Sequence, residues 1–233
     1  SLANVVNRMP PARHIVPCPV PWQPFGVAGR SATTWGDPHL VTFDRLGYGF
    51  QAVGEFVTFR TLDHRSQLHM RFAPAGEGVS MVTAVAGRLG NDYVTIEHSG
   101  RVLVNGTTVD LDAGEGIVVD ETGAVVRWPD GNRWLMLYPG DGERPLVDIT
   151  RSGSLLRVTT YLPDNLPVEG LHGNNNGNSR DDVRLADGSV LAVPVSAGAL
   201  YGSFADAWRV TDETSAFSYD AGISTETFTD RSY

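Results

Sequence analysis

Residues 101–111 read Arg-Val-Leu-Val-Asn-Gly-Thr-Thr-Val-Asp-Leu, two short apolar-rich runs around an Asn-Gly pair. Asn and Gly both tolerate positive φ, which a type I′ turn demands at its two central positions, so this stretch predicts a β-hairpin. The same punctuation recurs along the chain. Residues 53–61 are rich in Val, Phe and Thr; Leu68, Met70 and Phe72 alternate with polar neighbours; residues 79–85, 93–97 and 155–161 read as further strands. Turn residues fall at Glu121-Thr-Gly123, Asp130-Gly131 and Asp187-Gly188, and residues 125–128 and 133–138 are expected to pair around the second of these. Strand signals this closely spaced, with no long helical period between them, predict an all-β chain: a β-sandwich of two packed, mainly antiparallel sheets. A short helical turn is expected near residues 196–201.

The chain has 233 residues, enough for one large β domain with extensions. Residues 1–32 form a Pro-rich N-terminal arm, with Pro10, Pro11, Pro17, Pro19, Pro21 and Pro24 favouring extended backbone. A flexible linker and an arm docked through Trp22 and Phe25 are both open. Residues 33–211 carry the β pattern. Residues 212–233, rich in Thr, Ser and Asp, read as a C-terminal extension. The formal charge is −9, which repels phosphate backbones, argues against nucleic acid as a partner, and favours cations wherever carboxylates converge. The single cysteine, Cys18, leaves no internal disulfide, so cysteine usage does not reveal the compartment. No run of about 18 apolar residues is present to span a membrane. The sequence begins at Ser1 without a visible signal peptide, which leaves a mature form and a fragment of a longer chain both open.

Two segments carry chemistry. Within residues 174–182 there are four Asn, two Asp and one Gly. Asn and Asp all offer oxygen, and hard cations such as calcium take six to eight oxygens. Asn174, Asn176 and Asn178 alternate, and Gly177 permits the sharp turn that lets one loop's oxygens converge. This is not an EF-hand, because the Gly and the closing carboxylates come too early and no helices flank the loop. A polar surface turn uses the same residue types. The neighbouring carboxylates Asp181 and Asp182 repel each other unless a cation or donors lie between them. The second segment is Trp35-Gly-Asp-Pro-His-Leu-Val-Thr-Phe-Asp44.

Together these segments resemble the von Willebrand factor type D domain. Gly36 to Asp44, then Tyr48-Gly-Phe-Gln51 and Gly54-Glu-Phe-Val57, are similar to the opening of that domain. Gly170-Leu-His-Gly-Asn-Asn-Asn-Gly-Asn178 resembles its Gly-Leu-Cys-Gly-Asn signature, Asp181-Asp182 the acidic pair after it, and Phe204-Ala-Asp-Ala-Trp208-Arg-Val210 its closing block. Four blocks in order cover about residues 35–210. The resemblance implies a Ca2+ site built from the side chains of Asp44, Asn174, Asn176, Asp181 and Asp182 and the backbone carbonyl of Asn178. It also implies an extracellular structural or adhesive module whose partners are other proteins or further copies of itself. Gly54 and His172 stand where the family usually has Cys. The chain therefore resembles a disulfide-free version, expected to be bacterial, and disulfide-linked multimerisation does not carry over.

Gly36-Asp37-Pro38-His39 raises a second function. Asp-Pro is an acid-labile bond, and some members of the resembled family cleave themselves there; Asp37 would attack its own carbonyl while His39 protonates the leaving nitrogen. A third reading is a carbohydrate-binding module with an aromatic platform. Against it, Trp35, Trp128, Trp134 and Trp208 are expected to be core anchors. His64 and His69 lack a third zinc ligand and are expected to be surface histidines.

Overall fold

The computed structural model describes residues 29–232 and the backbone of residues 15–17. Cys18, Trp22 and Phe25 lie outside the described residues.

Strands are numbered in chain order. One sheet has nine described strands, in spatial order β1 (Ile15–Pro17), β11 (Glu115–Val119), β12 (Gly123–Arg127), β13 (Arg133–Leu137), β14 (Leu146–Ser152), β15 (Leu155–Leu162), β2 (Arg30–Trp35), β3 (His39–Val41) and β4 (Gly47–Gly49). The other has seven: β10 (Thr107–Val109), β9 (Val102–Val104), β8 (Asp92–Glu97), β7 (Val79–Leu89), β6 (Ser66–Gly76), β5 (Gly54–Thr61) and β16 (Val168–Glu169). The pairings are antiparallel, so the chain is the all-β sandwich that its punctuation predicts. The Asn105-Gly106 hairpin joins β9 to β10 with φ of 51° and 81° at its two central residues, as a type I′ turn requires. β12 and β13 pair around Asp130-Gly131 as expected, with Arg127 opposite Trp134.

The sheets pack face to face through one apolar core drawn from both. The Phe59 and Tyr138 rings lie 5.6 Å apart across the interface, and the Tyr138 hydroxyl donates to the Gln67 carbonyl at 2.7 Å, so the buried phenol is satisfied. Gly87 lets the sheets approach: a Cβ there would sit 3.0 Å from Met136 Sδ. Among the described residues α-helix is confined to one segment, Ala197–Ala199, a π-helical turn Leu200–Phe204, and Ala205–Trp208, longer than the single turn expected. Phe204 and Trp208 anchor it in the core. Among the described residues no helix is long and apolar enough to cross a membrane.

Residues 212–232 do more than extend the chain. They run back over the outer face of the seven-stranded sheet, where Ala216 and Phe217 are buried against Ala84 and Ala86. This explains a departure on β6. Leu68, Met70 and Phe72 face the core as their alternation predicts, yet the intervening Gln67, His69 and Arg71 are buried too.

Candidate metal centre

Two stretches far apart in sequence meet at the end of the sandwich. Beyond β3 the chain turns tightly, with Thr42 N–H bonded to the Leu46 carbonyl at 2.9 Å, and presents Asp44. Beyond β16 it continues along β5, where Leu171 and His172 N–H groups donate to the Val57 and Thr58 carbonyls, each at 3.0 Å. Gly170 makes that approach feasible, since a Cβ there would fall 2.5 Å from the Thr58 carbonyl oxygen. Phe43 N–H then donates to the His172 carbonyl at 3.1 Å, joining the two stretches. The Tyr48 hydroxyl adds a bond to the Leu171 carbonyl.

The Asn-rich loop folds around Asp44. One Asp44 oxygen accepts from Gly177 N–H at 2.8 Å and from Arg30 Nη1 at 2.7 Å; the other accepts from Asn176 N–H at 2.9 Å. Asn174 and Asn176 send their Nδ2 groups to Asp181 at 3.1 and 2.9 Å, while their Oδ1 atoms accept from Asn176 and Asn178 N–H at 3.2 and 2.8 Å. Asn178 Oδ1 accepts from Arg180 N–H at 3.3 Å and so starts the 3-10 turn Ser179–Asp181, which delivers the acidic pair. Asp182 is buried; it accepts from Thr42 Oγ1 at 2.5 Å and Asn174 N–H at 3.3 Å. All six residues expected to bind the ion therefore lie in one hydrogen-bonded cluster. Burial pushes the Asp182 carboxyl up to about 6 and the charges of Asp44 and Asp181 push the same way, against the lowering bonds from Thr42 and Asn174.

The donor set suits a hard cation. Every candidate donor is oxygen, three are carboxylates, and the negative charge at Asp182 is short of compensation. The two Asn carboxamides and the guanidiniums of Arg30 and Arg184, the latter 2.9 Å from Asp181, supply positive ends to Asp44 and Asp181 but not to Asp182. Among the described residues no three His, Cys, Asp or Glu side chains converge as a metal-holding group, so Asp44, Asp181 and Asp182 do not by themselves form one in this arrangement.

Several contributors escape sequence reasoning. Asn175, at φ 59° and buried, sends its Nδ2 to the Pro163 and Leu166 carbonyls at 3.0 and 3.1 Å and holds the loop from below. Gly173 leaves room for Asp182. Arg30 and Thr42 touch the carboxylates yet carry no local signal; only Gly173 and Asn175, within the Asn-Gly run, could have been suspected.

The remaining candidates divide. Asp37 sits on the hairpin turn between β2 and β3 and His39 opens β3, with His39 Nδ1 3.0 Å from Asp37 Oδ1, both half exposed. Trp134 and Trp208 are core anchors as expected. Trp35 is 39% exposed and stacks on His39, and Trp128 is half-buried under Arg133, because both lie where strands meet turns. His64 is exposed, but His69 is wholly buried, which corrects the expectation of a surface histidine: the C-terminal segment covers it.

The von Willebrand factor type D domain family matches residues 32–189, more than half of the chain. The chain belongs to this family. As a type D domain it is a structural module and not an enzyme. It is 30% identical over 207 residues to human (Homo sapiens) Sushi domain-containing protein 2, covering 82% of this chain and 24% of that protein. It is 29% identical over 222 residues to Protein mesh of Bombyx mori, covering 83% and 13%. To zonadhesin of Oryctolagus cuniculus it is 27% identical over 177 residues, covering 71% and 7%. The chain thus spans about a quarter or less of these relatives. All three are animal proteins and lend no support to a bacterial source.

Proposed function

We propose that this type D domain is an extracellular, calcium-stabilised module through which a larger protein assembles with other proteins or with copies of itself. The observation that carries the reading is the meeting of Asp44 with the 174–182 loop, about 130 residues later, in one oxygen-rich cluster. Asp44, Asn174, Asn176, Asp181 and Asp182 would supply side-chain oxygens and Asn178 its carbonyl. When bound, calcium supplies charge that ties the β3–β4 turn to the late loop, and such binding stabilises only the folded chain. Millimolar extracellular calcium suits a half-exposed site of this kind. The adhesive side of the reading draws on relatives such as zonadhesin.

The test is thermal unfolding with calcium and with EGTA. At free calcium a hundredfold above Kd the gain is about 2.7 kcal/mol, or roughly 5–10 °C in Tm for a chain of this size. An unchanged Tm would count against the site.

The Asp37–His39 contact favours a second reading, self-cleavage at Asp37-Pro38. The imidazole is at hand to deliver a proton as the prolyl nitrogen leaves. Incubation at mildly acidic pH followed by denaturing electrophoresis checks it: two fragments support the reading and an unbroken band removes it.

A further inference from the structure

The family match ends at residue 189, so nothing in it accounts for the docked C-terminal segment. Val210 N–H bonds to the Glu55 carbonyl at 3.0 Å, the exposed residues 211–214 form a turn, and the chain then lies across β5, β6, β7 and β8. Its contacts are specific. Ala216 N–H donates to His69 Nδ1 at 3.0 Å, and Ser218 N–H donates to Thr95 Oγ1 at 3.0 Å. The Tyr219 hydroxyl donates to Glu55, whose other oxygen holds Arg71 Nε at 2.8 Å. The Arg71 guanidinium is clasped between the rings of Phe217 and Phe228, 4.6 and 3.5 Å from their centroids. Asp220 takes both terminal nitrogens of Arg101 at 2.8 and 2.9 Å.

We propose that this sheet face is a peptide-docking groove, that its occupant is the chain's own segment 215–228, and that docking requires an unprotonated His69. The geometry sets the tautomer. Nε2 lies 3.1 Å from the Gln67 side-chain oxygen and carries the proton, which leaves Nδ1 as the acceptor for Ala216 N–H. An imidazolium has no acceptor to offer. Its charge would also be buried beside Arg60 of β5, Arg71 of β6 and, on the same face of β7, Arg88. Glu55 is already engaged by Arg71 and by Tyr219 of the docked segment. Burial, and then the charge of Arg60, push the closed ring down from 6.5 to about 3. Release of the segment returns the ring to water and moves it back towards its ordinary range, so the open state binds the proton more tightly. The docking equilibrium constant is therefore at its full value above the open ring's titration range and falls about tenfold for each pH unit below that range, towards the closed-state value.

Amide exchange in the full chain tests this at Ala216 and Ser218, with the β6–β7 ladder as reference. From about pH 6.5 to 4.5, opening of the two segment amides, corrected for intrinsic exchange, rises about tenfold per unit while the ladder stays protected. In His69→Asn, whose carboxamide oxygen replaces Nδ1 and does not titrate, that slope disappears. An equal slope in the variant, or segment amides that exchange only together with the ladder, overturns the proposal. Should the variant not fold, the ring itself is read by NMR in the wild type and in Phe228→Ala. The wild-type ring stays neutral to about pH 4.5 and the loosened variant titrates closer to 6.5. A wild-type ring that titrates near 6.5 with Ala216 still protected overturns it equally.

Discussion

At Gly173 a Cβ would lie 2.2 Å from Asp182 Oδ1, and φ is +83°. Both facts forbid a side chain while Asp182 keeps its place. Gly173→Ala is expected to lose most of the calcium-dependent rise in Tm and to cost about 1–3 kcal/mol without calcium, from the strained backbone and the displaced carboxylate. Differential scanning calorimetry with calcium and with EGTA separates the two effects. Asp182→Asn should behave differently. It removes a charge that burial disfavours, so stability without calcium should change little while the calcium response disappears. The candidate donors were legible because oxygen chemistry is written in residue type, and Asp44 joined them through family resemblance. Arg30 and Thr42 were not legible: a guanidinium 14 residues before Asp44 acquires meaning only once the sandwich brings it there.

Among the elements, the hairpin from β9 to β10 shows sequence reasoning at its strongest, since a two-residue turn is decided by backbone preference alone. Gly106 has open space around it and φ of 81°, so Gly106→Ala should cost about 1 kcal/mol from conformation only. Urea unfolding measures it, with no change expected in calcium response. Strand β6 shows the opposite case. Its alternation predicts the core-facing residues correctly, but alternation cannot tell water from a docked segment on the other face. The covering segment was itself illegible because Ala216, Phe217, Tyr219 and Phe228 follow no period. Phe228→Ala removes one side of the clasp on Arg71 and should destabilise the chain by about 1–2 kcal/mol, read in the same urea titrations.

For the molecule as a whole, two sheets closed around one core leave the early β3–β4 turn and the late Asn-rich loop side by side. The class of fold was legible from strand spacing. The meeting of these two distant stretches depended on topology, which no local pattern encodes. The proposed calcium site requires that their oxygens share a single divalent ion. Isothermal titration of calcium into the apo chain tests this most directly: it should show one site per chain, and Asp44→Asn, which keeps the shape of the side chain and removes its charge, should abolish or severely weaken it. No binding heat in the wild type, or equal binding in the variant, would contradict the account.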